Sequence, residues 1–193
     1  MEINLDLYEF SKTMSRVKLI RWDELPYFPI YCDQLLQIVN DELSFMQSDD
    51  KNEKLITKSM VNNYVKWGMI PKPVKKKYEK IHIASVIAIT MLKQIMPISK
   101  ITEGIQLQVN LQGDERAYNA FCEVFEESIR IVFLPILDEL NPYVLQERKF
   151  EYDMLAISTI TTALSSKLLT EKIIETKIKK NNNISRGEGE THE

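Results

Sequence analysis

The spacing of apolar residues along this chain is helical almost throughout. No stretch shows sustained alternation of apolar and polar residues, and the chain contains only five glycines. We therefore expect an all-α fold with at most one small hairpin. The predicted helices cover residues 31–46, 58–67 and 83–95, a shorter segment beginning near Ser99, a long segment beyond Gly113, and a second long segment from Phe150 to about Lys180.

Proline, glycine and polar residues divide the chain into four regions. Residues 1–30, which contain Pro26 and Pro29, are predicted to be an irregular N-terminal segment, and residues 181–193 are predicted to be a disordered polar tail. Between these ends we expect a compact domain over residues 31–109 and a helical dimerisation or sensing region over residues 114–180. Residues 47–54 of the compact domain are polar and are predicted to form a loop.

The first long C-terminal helix carries an apolar stripe at spacings of 4, 3, 4, 3 and 4 residues. This is the heptad pattern of a helix that faces a partner helix, so we expect the stripe to join two copies of the chain in a homodimer. Packing within a single chain is the alternative, and Pro135 would kink a long coiled coil. The predicted dimerisation residues are Tyr118, Cys122, Phe125, Ile129, Val132 and Ile136.

Positive charge is concentrated in one part of the chain. The whole chain has a net charge of −3, yet residues 54–80 contain eight lysines and a single acidic residue, Glu79. A mildly acidic protein with one strongly basic segment is suited to present that segment to an anion.

The helix predicted over residues 58–67 has cleanly separated faces. Thr57 is a suitable N-cap, and Gly68 stands where a left-handed C-cap is expected. At 100° per residue the apolar face contains Met60, Val61, Tyr64, Val65 and Trp67, and the polar face contains Lys58, Ser59, Asn62, Asn63 and Lys66. Any surface helix has a polar face, but adjacent asparagines are poor helix formers that solvation alone does not favour. Asparagine can pair with the N6 and N7 edge of adenine in the major groove.

A lysine-rich loop follows this helix, because Pro71 and Pro73 prevent the helix from continuing. A short hairpin here would hold ammonium groups along a phosphate backbone, for which lysine serves as a point charge. A run of charge is often only a solvated loop, but its position beside a helix with an uncharged polar face favours DNA binding. The predicted contact residues of this loop are Lys72, Lys75, Lys76, Lys77 and Tyr78.

The run VNNYVKWGMI, followed by Tyr78 and an apolar helix, resembles the winged helix-turn-helix domain of MerR-type regulators. Together with RWDELP (residues 21–26) and YCDQ (residues 31–34), it is similar to a bacterial family of unknown function related to that domain. The resemblance covers about residues 20–107. It implies a DNA-binding domain, binding of double-stranded DNA and regulation of transcription.

The resemblance also implies residue roles. Tyr64 matches the second Tyr of the MerR-type Arg-Tyr-Tyr pattern, Gly68 matches its Gly, and Tyr78 matches the Tyr that closes the wing. Asn62 and Asn63 replace the Arg and the first Tyr, which implies a different contact chemistry. Paired cysteines of the kind found in metal-sensing members are missing from the C-terminal part, so the resemblance implies no effector.

Other functional classes are less well supported by the sequence. The two histidines, His82 and His192, offer no acid-base pair, and His82 is expected at a helix start or on the surface, so we expect no enzyme and no cofactor. Cys32 and Cys122 lack the spacing of a zinc site. The longest charge-free stretch in the C-terminal third has thirteen residues, too few to span a membrane, and the first residues, MEINLD, lead us to expect no secretory signal. We expect a cytoplasmic DNA-binding regulator, the alternative being a protein-interaction adaptor whose basic surface meets an acidic partner.

Overall fold

The computed structural model describes residues 5–47, 54–138 and 152–187. Its helices in these ranges are α1 (Leu5–Met14), α2 (Cys32–Glu42), α3 (Lys58–Lys66), α4 (Lys80–Leu92), α5 (Ile98–Gln112), α6 (Asp114–Leu137) and α7 (Leu155–Gly187), with short 3₁₀ helices at Ser44–Met46 and Tyr152–Met154. Strands β1 (Ile30–Tyr31) and β2 (Lys77–Tyr78) form one antiparallel pair. The predicted helical class with a single small sheet is therefore confirmed. Most of the polar loop predicted over residues 47–54 lies outside the described residues.

Helix α4 forms the centre of the molecule. Every residue from His82 to Leu92 is buried, because the sequence of this helix is apolar on all sides. Helices α2, α5, α6 and α7 pack around it. One hydrophobic cluster runs from Met14 in α1 to Leu168 in α7. The regions predicted separately over residues 31–109 and 114–180 thus share one core.

The apolar stripe of α6 packs within its own chain. Its six residues, Tyr118, Cys122, Phe125, Ile129, Val132 and Ile136, are each at most 5% exposed. Helices α1, α5 and α7 pack against α6. We therefore correct the assignment of these residues to a dimer interface, because side chains buried in one copy cannot also form the contact between two copies.

Small hydroxyl side chains let α6 and α7 approach closely. The hydroxyl oxygens of Ser128 and Thr161 lie 2.9 Å apart, and Ser128 also donates to the carbonyl oxygen of Val124 at 2.7 Å. Ser158 and Ser165 are buried along the same face of α7. Each hydroxyl can bond within its own helix, so polar atoms are buried here without remaining unpaired.

Both ends of the chain are more helical than predicted. Within the segment expected to be irregular, α1 buries Met14 completely, and the Phe10 ring packs edge-on against Phe133 at 5.8 Å between centroids. Leu7, Phe10 and Met14 follow one another at the i, i+3, i+7 spacing of an amphipathic helix, so tertiary packing stabilises this short element. At the other end, α7 continues to Gly187. Residues 181–187 are helical rather than disordered, and residues 188–193 lie outside the described part of the chain.

A segment without secondary structure, residues 18–22, lies between α2 and α6. Its backbone N–H groups are paired by side chains: Leu19 donates to Glu126 at 2.9 Å, Ile20 to Glu42 at 2.6 Å and Trp22 to Asn119 at 3.0 Å. Because buried peptide groups must be paired, these three side chains replace the bonds that a helix or strand would supply.

Glu126 is the central partner of this segment. Its side chain is 2% exposed, and its carboxylate accepts hydrogen bonds from Arg21 at 2.6 Å and from Lys18 at 2.9 Å. Burial raises the pKa of Glu126, but the hydrogen bonds from Arg21, Leu19 and Lys18 outweigh burial and leave the pKa below its ordinary value. Glu42 shows the opposite balance, because burial dominates there and raises its pKa despite the bond from Ile20.

Replacing Glu126 with Gln should lower the free energy of unfolding at pH 7 by about 2–3 kcal/mol, because Arg21, Lys18 and Leu19 lose a charged acceptor. A lowered carboxyl pKa stabilises the fold above the ordinary value of 4.5 and ceases to do so as pH falls through the folded value, so the loss should shrink in acid. Urea titrations of the parent and the Glu126→Gln variant at pH 7 and pH 4 measure this loss in the free energy of unfolding.

The matched control is Glu42→Gln. Since the pKa of Glu42 is raised, its charge disfavours the folded state at neutral pH, and Gln retains an acceptor for Ile20 N–H. This variant should be as stable as the parent or more stable. Equal losses in the two variants would contradict the role assigned to Glu126.

Candidate nucleic-acid interface

Helix α3 begins and ends at specific capping interactions. The hydroxyl oxygen of Thr57 accepts a hydrogen bond from the Met60 N–H at 3.4 Å, as expected of an N-cap. At the other end Gly68 has φ of 70°, and the Met69 N–H donates to the Tyr64 carbonyl at 2.9 Å. This is the Schellman arrangement, which requires a left-handed residue. The predicted N-cap and C-cap are therefore confirmed, although the helix ends at Lys66 rather than at Trp67.

The two faces of α3 lie as predicted except at one position. Val61 and Tyr64 are buried in the core, and the polar residues Lys58, Ser59, Asn62 and Lys66 are exposed, with Asn63 half-buried. Trp67 was predicted on the apolar face, but it is 57% exposed. The helix has already ended there, so the helical angle no longer determines its direction. Trp67 lines a shallow depression shared with α5.

The polar side chains of α3 are available to a ligand. Among the residues that the structure describes, the side chains of Ser59, Asn62 and Asn63 have no hydrogen-bond partner, and Lys66 has no ion pair. Of these polar residues, Lys58 forms an ion pair: its ammonium nitrogen lies 3.8 Å from the Asp33 carboxylate, and both side chains are mostly exposed. The face thus offers two amides, a hydroxyl and two ammonium groups.

The lysine-rich loop contains a tight turn in an unusual conformation. The Lys77 N–H donates to the Val74 carbonyl at 2.9 Å, and the two central residues, Lys75 and Lys76, have φ of 50° and 60°. Positive φ at both central positions defines a type I′ turn, in which Asn and Gly are favoured. A left-handed conformation costs a residue with a side chain about 1–2 kcal/mol. Two lysines therefore occupy positions where the backbone favours other residues.

The first turn of α2 brings the turn and α3 together. Tyr31 pairs with Lys77 across the small sheet, and the Lys77 ammonium lies 5.4 Å from the centre of the Tyr31 ring. Two residues further along, Asp33 contacts Lys58 at the start of α3. The lysine turn and the N-terminal end of α3 thus lie on either side of residues 31–33. We call the exposed polar face of α3 together with Lys72, Lys75, Lys76 and Lys77 the basic surface.

Tyr78 does not belong to this surface. It was predicted to contact DNA, but it is 5% exposed, and its ring packs edge-on against His82 at 5.4 Å between centroids. Its hydroxyl lies beside the Cys32 thiol, and burial raises the pKa of both groups. Tyr78 therefore anchors β2 to α2 and α4 on the buried side of the sheet.

His82 is also part of the protein core rather than of the basic surface. It was expected at a helix start or on the surface, and it does lie in the first turn of α4, but it is buried, and its Nδ1 accepts a hydrogen bond from the Glu79 N–H at 2.9 Å. Burial lowers the pKa of His82. A neutral imidazole provides that acceptor, so His82 caps the helix that follows the turn.

Exposed aromatic residues in and just before β1 were missed by the sequence prediction. Tyr27 is 89% exposed, Phe28 is 53% exposed and Tyr31 is 58% exposed. The rings of Tyr27 and Phe28 pack edge-on at 5.1 Å, between Pro26 and Pro29. The run PYFPIY carried the signal, since two prolines restrict the backbone on either side of an aromatic pair.

Across residues 5–47, 54–138 and 152–187, no group of three or more His, Cys, Asp or Glu side chains is placed to hold a metal ion. No helix within those ranges combines the length and apolar character needed to cross a membrane.

Replacing Lys75 with Asn and Lys76 with Gly should raise the melting temperature, because Asn-Gly is the favoured pair for a type I′ turn. We expect a gain of about 1 kcal/mol or more in the free energy of unfolding. Thermal unfolding followed by circular dichroism measures it. The double variant Lys75→Ala and Lys76→Ala is the matched control, which removes both charges without relieving the backbone. A gain of the same size in the control would contradict the assigned turn.

The chain matches a known protein family. The family model described as a domain of unknown function, DUF1836, matches residues 20–125. No curated protein and no solved structure matches the chain. The matched range contains α2, α3, the small sheet, the lysine turn, α4 and α5, together with the first half of the stripe on α6. The chain therefore belongs to the DUF1836 family, a family of unknown function.

Proposed function

We propose that this protein is a cytoplasmic transcriptional regulator that binds double-stranded DNA in a sequence-specific manner through the basic surface. The observation that carries the proposal is the convergence of α3 and the lysine turn on the first turn of α2. A helix with free amides and a loop with free ammonium groups contact the same segment, residues 31–33, and this is the combination needed to read bases and hold phosphates.

Helix α3 supplies the base-reading part of this surface. Asn62 is exposed near its centre, and the half-buried Asn63 is next to it. An asparagine amide can donate to N7 and accept from N6 of adenine at the same time, which makes its contact directional. Ser59 and Lys58 extend the same face toward the helix N-terminus, where the helix dipole favours the approach of phosphate.

The lysine turn supplies the phosphate-holding part. Lys72, Lys75 and Lys76 are exposed, and no carboxylate in the described ranges lies within ion-pair distance of them. The strained backbone of Lys75 and Lys76 supports a functional role, since Asn or Gly would fold more easily but would offer no charge. Lys77 lies against Tyr31 and is held close to the sheet.

The order of elements supports a MerR-like winged helix-turn-helix within the proposal. A core helix, α2, is followed by the candidate recognition helix α3 and then by a basic wing that ends in a strand. The connection from α2 to α3 covers residues 43–57, whereas the turn of a strict helix-turn-helix has about three or four residues. The wing strand also pairs with β1, which precedes α2. The proposed domain is thus a variant of that arrangement.

The proposal includes a homodimer, since specific reading of a duplex commonly takes two copies on neighbouring half-sites about 34 Å apart. With the α6 stripe buried, α7 is the next candidate interface. It exposes Ile174 and Ile178, which lie one helical turn apart, at 52% and 54%.

Selection of bound duplexes from a random pool tests the proposal. We expect a preferred site, on which Asn62→Ala should cost about 1–3 kcal/mol of binding free energy while scrambled duplex hardly responds. Lys76→Ala is the matched control from the other half of the surface. It should weaken selected and scrambled duplexes alike, because phosphate contacts carry no sequence information. Gel shift at near-physiological salt measures both.

Two results would contradict the proposal. One is a pool that yields no enriched sequence and no retained duplex at near-physiological salt. The other is an equal loss on selected and scrambled duplex for Asn62→Ala, with the fold intact by circular dichroism, because α3 would then contribute only non-specific contacts.

The exposed aromatic residues favour a second candidate function, that of an adaptor that binds an acidic protein surface. Tyr27, Phe28 and Tyr31 are exposed, Tyr31 contacts Lys77 of the basic surface, and aromatic residues are enriched where proteins bind proteins. The gel shift separates the two candidates, because an adaptor would fail to retain duplex DNA.

A further inference from the structure

A cavity of about 510 Å³ lies between α4, α5, α6 and the start of α7. Its size falls within the range of about 300–1,000 Å³ that is usual for small-molecule sites. The basic surface described above contributes no residue to it. The cavity is therefore a second feature of the molecule, separate from the candidate DNA interface.

The walls of the cavity are almost entirely apolar. Ala88 of α4, Ile101 and Ile105 of α5, Phe121 of α6 and Ile157 of α7 are among the lining residues. Such walls attract apolar surface out of water.

The charged residues that line the cavity are paired with each other or exposed to solvent. The Lys100 ammonium lies 2.7 Å from the Glu103 carboxylate, and both side chains are 64% exposed, so this pair is solvated. Asp114 is exposed at the N-terminus of α6. A charged ligand group would lose its hydration inside the cavity without gaining a free partner, which favours a neutral occupant.

Two hydroxyl groups line the cavity without a hydrogen bond to a described residue. The Tyr118 hydroxyl is fully buried, whereas the Ser85 hydroxyl is accessible from the cavity. Ser85 of α4 is 8% exposed and lines the cavity, and its hydroxyl makes no hydrogen bond with any described residue. A ligand that displaces water from the Ser85 hydroxyl must supply a partner, because an unpaired hydroxyl enclosed by apolar surface is unfavourable. A ligand with a single hydrogen-bonding group could satisfy it.

Helix α5 covers the cavity loosely. Only Ile101 and Gln108 of this helix are buried, although it extends from Ile98 to Gln112. Gly104 lines the cavity, and a Cβ built there would meet no atom within 4 Å. The wall at Gly104 therefore has space for additional atoms.

We propose that this cavity binds a neutral, largely apolar small molecule whose single hydrogen-bonding group pairs with the Ser85 hydroxyl. The assignment goes beyond the proposed DNA-binding function and does not depend on it. The binding energy comes from burial of apolar surface against α4, α5, α6 and α7, and Ser85 fixes the orientation of the ligand.

The test uses a matched pair of fluorescent probes and the full chain. N-phenyl-1-naphthylamine is neutral, apolar and carries one N–H, and 8-anilino-1-naphthalenesulfonate has the same ring system with an added sulfonate. The neutral probe should bind saturably with one site per chain. The sulfonate should bind at least about tenfold more weakly, because its charge finds no partner. Ser85→Ala should weaken the neutral probe by about three- to tenfold.

Two variants fill the cavity from different walls, namely Ala88→Phe on α4 and Gly104→Leu on α5. Each should abolish saturable binding of the neutral probe while circular dichroism shows unchanged helix content. Gly104→Ala is the control, since it adds one methyl group and leaves most of the cavity open, and it should bind the probe like the parent. If one filling variant fails to fold, the other still decides the outcome.

Three results would overturn the assignment. The first is the absence of saturable binding of the neutral probe. The second is equal binding of neutral probe and sulfonate, which would indicate an exposed or charged site. The third is undiminished binding by a folded cavity-filling variant, because the probe would then bind elsewhere on the molecule.

Discussion

The buried carboxylate of Glu126 fixes the segment on which the basic surface depends. It holds Lys18, Leu19 and Arg21 against α6, while Glu42 of α2 pairs the next backbone N–H, that of Ile20. The chain then leads to β1, which pairs with β2 at the base of the lysine turn. Because this segment has no helix or strand of its own, its position is set by side-chain acceptors from the two flanking helices. The lysine turn is thereby connected to the core of the C-terminal helices.

Local signals allowed the sequence to predict α3 in detail. Thr57 and Gly68 determine its ends through hydrogen bonds within a few residues, and the separation of polar from apolar residues determined which face is buried. The lysine loop was equally evident from charge alone. These features depend on contacts between neighbours in sequence, so spacing and residue type were sufficient to predict them. Where the local structure changed, the prediction failed, as at Trp67, which follows the last helical residue.

The packing between residues far apart in the chain could not be predicted from the sequence. A heptad stripe has the same spacing whether it faces a second copy or the same chain, and the burial of Phe125 and Ile129 became clear only with α1 and α7 in place. Tyr78 and Tyr31 are both strand tyrosines, yet Tyr78 is buried and Tyr31 is exposed. Tyr78 pairs with Ile30, the residue before Tyr31, and successive residues of a strand point to opposite faces of the sheet. The cavity beside Ser85 is likewise a product of four helices that meet, and no single segment encodes it.

We propose that the lysine turn and α3 form one surface for duplex DNA, and the salt dependence of duplex affinity tests this proposal. With four to six phosphate contacts per chain, log affinity should fall against log salt with a slope of about −4 to −5 per bound chain. The variant with Lys75→Asn and Lys76→Gly should reduce the magnitude of that slope by about 2, through the loss of two contacts. Fluorescence anisotropy of a labelled duplex measures both slopes. A slope near zero for the parent, or one that the variant leaves unchanged, would contradict DNA binding by the basic surface.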